Sequence, residues 1–494
     1  MIKITTRNLF VLVSILLTTA ISFGQVVSNG NDSGAGSLRD AVMTANANPG
    51  ADIISITPLV INITLTSGTI DVTDELTIFG SGSTIDGSGN SERAFTVVGT
   101  GAETFEIVNL NFTNNTSPTD GGAIRVDDML VSVTTATFTN NEASGSPGSG
   151  GAIFTEGTGT LTVTDATFTA NTATRAGGAI EAQSSGAINL TNVNFTGNTV
   201  TGPPGNGGAF HITGAADATI TGGSATANTA ASEGGAFWNG AGTMTITDVM
   251  VTGNDAQGTA ATNGGGGIYN EGGTLAVNGT SVINNNTASG TNGAGGAILS
   301  VLGTVSVDGI DINGNTAQGN IGGVAGGAAM VTVTNTDFDG NTSVTGFGGA
   351  AGVNSGGTLT ISGSNFTNNS AGMAGGAIVV NNSMFSTSGS VYDMNNATTG
   401  GGLFLLNGMA SFDGDTVSNN TALTNGGGIW TSLTITVNDT DVTGNEAQGA
   451  AADQGGGGIY TTASGLTITG TSTISGNMAS GAAGSGGGIL SNEG

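Results

Sequence analysis

A Gly-Gly-Ala-Ile-like motif recurs along most of this chain, at a spacing that suits a stacked repeat. Its fourth position falls at Ile124, Ile153, Ile180, Phe210, Phe237, Ile268, Ile298, Ala329, Ala351, Ile378, Leu403, Ile429, Ile459 and Ile489, at intervals of 22 to 31 residues. A second motif runs beside it: an apolar residue, two spacers, then asparagine. Phe138 with Asn141, Phe168 with Asn171, Phe195 with Asn198, Phe338 with Asn341 and Phe366 with Asn369 show it. Smaller residues lead in Val251 with Asn254, Ile312 with Asn315, Val442 with Asn445 and Ile474 with Asn477. One such Asn, from Asn115 to Asn477, precedes each glycine motif.

The segments between the motifs alternate apolar with polar, as in Leu161, Val163 and the threonines around them, or Leu359 and Ile361 between Thr358, Thr360 and Ser362. Period-two alternation of β-branched residues reads as half-buried strand. Gly and Asn clusters break the strands where the backbone must turn left-handed. A unit of this length with about three short strands suits one coil of a parallel β-helix. A single coil cannot bury its own apolar positions; stacking sets each Ile on the previous one and makes the core continuous. An Asn at a tight turn can then hydrogen-bond its copies in neighbouring coils. The expected fold is all-β: a right-handed, single-stranded parallel β-helix. The Gly, Ile, Phe and Asn columns are read as architecture.

Composition supports this over disorder. With 91 glycines and only 8% charged residues the chain is far from globular averages, yet its apolar residues are patterned. The expected domains are an export signal over residues 1–24, a cap with irregular first coils over 25–104, and about fourteen repetitive coils over 105–494. Lys3 and Arg7, the apolar run 9–17, and small Ser22 and Gly24 before Gln25 carry the export reading. The run is short for a membrane span, and nothing later resembles one. Ser37 with Asp40 three residues on reads as a capping box, and Leu38, Ala41, Val42 and Ala45 share one helical face. This short helix is expected to plug the first coil and cover an open sheet edge. The sequence stops just after a repeat motif, so the natural protein is expected to continue.

The formal net charge is −28 and cysteine is absent. After the export segment the basic residues are Arg39, Arg93, Arg125 and Arg175, with none beyond. Nucleic acid and anionic membranes, which need basic contacts, are therefore not expected partners. Cations, neutral glycans and proteins remain open. The chain is expected to be monomeric in this region.

If the Ile column faces in, the residue after it faces out. That outward column reads Arg125, Phe154, Glu181, His211, Trp238, Tyr269, Leu299, Met330, Gly352, Val379, Phe404, Trp430, Tyr460 and Leu490. Two runs on adjacent coils stand out: His211, Trp238 and Tyr269, and Phe404, Trp430 and Tyr460. They are candidates for an exposed aromatic platform for sugar rings or a partner's apolar surface; the alternative is aromatics shielding strands. Paired carboxylates at Asp337 and Asp339, Asp413 and Asp415, and Asp439 and Asp441 are weak candidates for Ca²⁺, with solvated acidic turns as the alternative. No other cofactor or metal is expected. His211 has no identifiable nucleophile partner. A lyase would want Lys or Arg, and no repeat departs from its neighbours as an active-site insertion would, so no enzymatic activity is expected.

The paired motifs, carried for example by Gly177-Gly178-Ala179-Ile180 and Phe195-Thr196-Gly197-Asn198, resemble the repeats of the chlamydial-type polymorphic outer membrane protein family. The resemblance covers roughly residues 105–494. It implies a pectin-lyase-like β-helix, exposure at a bacterial outer surface, and adhesion. Gly36-Ser37-Leu38-Arg39-Asp40-Ala41 is similar to the cap motif of many secreted bacterial β-helix proteins, which often carries Cys where Gly36 stands. This sequence departs from the family in showing no C-terminal barrel and in Gly for Ala at Gly267, Gly428, Gly458 and Gly488. The expected function is a secreted or cell-surface scaffold for adhesion or for binding glycan or protein. A polysaccharide-degrading enzyme and a structural spacer are the alternatives.

Overall fold

The computed structural model describes residues 24–463 and 465–492. Except for Gly24, the export segment lies outside the described residues. The chain forms an all-β parallel β-solenoid of right-handed type with about 17 turns. A representative coil has strands Ile153–Glu156, Leu161–Thr164, Thr167–Thr169 and the two-residue Thr172–Ala173. Each pairs in parallel with its counterpart one coil on: Ile153 with Ile180, Leu161 with Ile188, Phe168 with Phe195, Ala173 with Val200. The short fourth strands form a sheet of their own, 14 strands deep. Among the described residues, no helix is long and apolar enough to cross a membrane.

Three inward columns fill the interior, and nearly all of their members are fully buried. In the third-strand column the rings stack face to face: Phe112 on Phe138 at 4.8 Å, Phe138 on Phe168 at 4.7 Å, Phe338 on Phe366 at 4.7 Å. The ring spacing follows the coil rise set by backbone hydrogen bonding.

The asparagine column is a continuous ladder. Asn141 Nδ2 donates to Asn171 Oδ1 at 2.9 Å, and the Asn141 backbone N–H donates to the same oxygen at 3.0 Å. Asn141 Nδ2 also donates to the Phe112 carbonyl of the preceding coil at 3.2 Å. The same set recurs from Asn115 through Asn445, whose Nδ2 reaches Asn477. Each amide is buried, so these bonds meet a need that water cannot. The residue before each ladder Asn turns left-handed, with φ 53° at Asn140 and 55° at Asn368, a conformation Asn tolerates.

The helix Leu38–Asn46 sits where the sequence placed it. Ser37 Oγ accepts from the Asp40 N–H at 3.2 Å, and Leu38, Ala41, Val42 and Ala45 are its buried residues. A strand not anticipated, Gly24–Val27, precedes it and pairs with Asp52–Ile56. The coil register also reaches back before residue 105, through Ile70 and Phe95 to Ile124. One register assignment changes. Val324, not Ala329, stands between Ile298 and Ala351 in the inward column. Two glycine pairs lie close together there, and the first one, Gly322-Gly323, makes the turn.

Candidate functional site

The outward column begins as a polar strip. Arg125 pairs with Glu156, and Glu181, fully buried, holds His211 Nδ1 at 2.7 Å. Thr213 Oγ1 donates to Glu181 Oε1 at 2.7 Å, and Arg175 stands 3.9 Å from the same oxygen. A buried carboxylate needs this much company. On the next coil Glu233 accepts from Trp238 Nε1 at 3.1 Å and from Asn263 Nδ2 at 2.6 Å. Burial pushes the carboxyls of Glu233 and Asp120 above their ordinary range. Glu181 and His211 are consecutive members of the outward column, and that spacing is the sequence signal for their pairing; Glu233, in a loop, carries none.

Further along, the column turns apolar. His211 stacks on Trp238 at 4.2 Å and Trp238 on Tyr269 at 5.9 Å; Phe404 stacks on Trp430 at 4.4 Å and Trp430 on Tyr460 at 6.4 Å. Both runs therefore come together as stacks. They do not form the open platform expected. His211, Tyr269 and Tyr460 are buried, and only Trp238, Phe404 and Trp430 are half-buried. The loops before the glycine motifs fold over the sheet, and Ala294, Ile321 and Phe347 pack on Tyr269, Leu299, Ala325 and Val379 in a second apolar cluster outside the main core. Burial pushes the Tyr269 phenol well above its usual range, with its hydroxyl donating to the Thr262 carbonyl at 3.3 Å. Because Val324 takes the inward place, Ala325 replaces Met330 in this column; Met330 starts the following strand, exposed.

The carboxylate pairs do not assemble a cation site. Asp337 accepts from Asn365 Nδ2 at 2.7 Å, and Asp339 from Thr367 Oγ1 at 2.9 Å and Asn368 Nδ2 at 2.8 Å. Asp439 accepts from the Thr471 N–H at 2.8 Å, which holds its carboxyl below the usual range; Asp441 is exposed on the next strand. Asp413 and Asp415 do not share a face: Asp413 is exposed and bonded to Asn438, while Asp415 is buried at a corner. Asp415 accepts from Thr387 Oγ1 at 3.0 Å and the Ser390 N–H at 2.9 Å, and burial raises its carboxyl to about 6. Thr387 also meets the hydroxyl of buried Tyr392 at 2.7 Å. Among the described residues no three acidic or histidine side chains gather as a metal-ion group.

Residues 109–127, 135–156 and 416–432 match the family described as the Chlamydia polymorphic membrane protein repeat. The chain thus carries repeats of that type. No curated protein matches it significantly. A solved structure with a detectable likeness is tailspike protein 3 of bacteriophage CBA120, 10% identical, covering 96% of this chain and 68% of that one, with a TM-score of 0.30. A likeness this distant carries no functional weight.

Proposed function

We propose that this chain is a rigid scaffold displayed outside the cell, whose outward column and roofing loops form a lane that binds glycan or protein. One observation carries the reading: the outward column varies from coil to coil and gathers the side chains that are rarest in this chain. The inward columns and the Asn ladder repeat the same chemistry from coil to coil. The outward column changes at nearly every step and holds both tryptophans, the only histidine and two of the three tyrosines. The repeat matches support a surface protein, and the acidic exterior keeps such a rod soluble.

A glycan-cleaving activity is the second reading. Its candidate groups are Glu233 and Asp120, whose carboxyls burial pushes upward, in the loops beside the Glu181–His211 pair. A glycan and protein array run beside a reducing-sugar assay separates the two. Binding without released ends, lost on Trp238→Ala and Trp430→Ala, supports the lane. Released reducing ends support the enzyme. Binding untouched by both substitutions overturns the lane.

A further inference from the structure

The lane has a gap between its two aromatic stacks. From Tyr269 to Phe404 the outward column runs Leu299, Ala325, Gly352, Val379, and at Ala325 and Gly352 it carries its smallest side chains. A hollow of about 240 Å³ opens there, walled chiefly by Ile321, Phe347, Val379 and Phe404. Exposed Asn354 and Asn381 stand at its mouth. A second recess of about 110 Å³ shares Ile321 and Asn354 with it.

Ile321 is the unusual wall. Its φ is 58°, a left-handed backbone that a β-branched residue rarely adopts. The neighbouring coils place glycine at the equivalent turn, Gly295 at φ 64° and Gly348 at φ 71°. Glycine would make the same turn without strain. Strain of this kind persists where the surroundings over-determine it, and it concentrates at ligand sites. What Ile321 adds over glycine is a side chain, and that side chain is 3% exposed and lines the hollow. Gly352 lets two walls close in: a Cβ there would clash with Val379 Cγ1 and come within 3.1 Å of Ile321 Cδ1, so the Val379 and Ile321 side chains occupy the room it leaves.

The chemistry of the walls selects the occupant. No lining residue is ionisable, and no Lys or Arg follows Arg175, so neither anion nor cation finds a counter-charge. Phe347 and Phe404 lie 6.1 Å apart, tilted by 40°, and a third ring completes such a cluster edge-to-face or offset at roughly 4.5–7 Å. A benzene-sized guest needs a cavity of about 150 Å³, which the hollow exceeds. The two mouth carboxamides can serve one hydroxyl.

We propose that this hollow receives a single uncharged phenolic ring, with the ring inside and the hydroxyl at the Asn354–Asn381 mouth. The proposal rests on the reading of this face as the binding lane and names the ligand chemistry at its centre. The test titrates the full chain with p-cresol and, in parallel, N-acetyltyrosinamide, by calorimetry and saturation-transfer NMR. Saturable binding of p-cresol with a Kd at or below about 1 mM is expected. Ile321→Gly relieves the left-handed turn but removes a buried side chain, so its thermal midpoint should fall; with the circular dichroism spectrum unchanged, it should weaken p-cresol at least fivefold, whereas a merely structural Ile321 would leave the affinity of the folded protein unchanged. Val379→Trp should fill the hollow and weaken binding at least tenfold; if circular dichroism shows that it misfolds, Ile321→Gly decides alone. Binding of both probes extends the site to tyrosine side chains of a polypeptide, and p-cresol alone assigns it to a free phenol. No saturable binding of either probe, or unchanged affinity in Ile321→Gly, overturns the proposal. A blank array with p-cresol bound removes the lane and keeps the hollow; the reverse removes only the hollow.

Discussion

The inward Phe column and the outward column stack rings at almost the same spacing. Phe138 and Phe168 lie 4.7 Å apart with planes 2° from parallel; Phe404 and Trp430 lie 4.4 Å apart and 16° from parallel. The inward rings are enclosed by columns that are apolar in most coils, so most coils do the same job there and tolerate the same few residues. The outward rings are enclosed by loops, and loops differ between coils. Tyr269 is covered where Ala294 packs nearby, while Trp430 stays half-buried. Regular packing tends to make copies alike; roofing by loops lets neighbouring coils diverge. A repeat protein can thus keep its rod and vary one lane.

Breaking the inward side should cost most. Phe168→Ala removes a fully buried ring between two stacked neighbours and should lower stability by about 3–5 kcal/mol, seen as a fall in the denaturant midpoint. Asn254→Ala interrupts the ladder, leaving the Asn228 N–H and Nδ2 without their shared acceptor. Stranded buried donors make a loss of about 3 kcal/mol the expected outcome. Hydrogen exchange should show the opening spreading to both adjacent coils.

Asp415 gives the opposite sign. Its carboxyl titrates near 6 in the fold against 3.8 in the unfolded chain, because burial disfavours the charge. The folded state therefore holds the proton more tightly. That contribution is fully present below pH 3.8 and is lost as pH rises through about 6. Asp415→Asn should gain on the order of 1 kcal/mol at pH 8, after forfeiting the bond from the Asp413 N–H. The gain should vanish at pH 4. A pH-independent effect in denaturation curves would contradict this account. The smallest stability change belongs to the outward lane: Trp430→Ala removes a half-buried ring and should cost about 1 kcal/mol while abolishing array binding.

The architecture was legible because it is written many times over. The Asn ladder, the Phe stack and the inward Ile column follow from motifs seen in nearly every coil, and the helix over residues 38–46 follows from Ser37 and one apolar face. The single register error arose at Ile321, which replaces the glycine that normally announces the turn; equal spacing favoured Val324, lying 26 residues after Ile298, over Ala329. The covering of His211, Tyr269 and Tyr460 was not legible. Alternation says that a residue faces away from the core, but what then covers it differs from coil to coil: Trp238 and Glu181 at His211, the loop carrying Ala294 at Tyr269, and Asn492 at Tyr460, none of them set by the repeat. The burial of Asp415 was hidden for a related reason: alternation fails at the corner after Gly414.

The outward lane exists only if the coil register runs unbroken past Ile321. The chain has no cysteine, so two engineered pairs can be compared without background. Register partners on adjacent parallel strands lie about 4.8 Å apart, within the span of a disulfide. Leu299→Cys with Ala325→Cys should oxidise readily to an internal cross-link, and Leu299→Cys with Met330→Cys should not. The reverse result, with Met330 cross-linked and Ala325 free, would contradict the register and with it the lane.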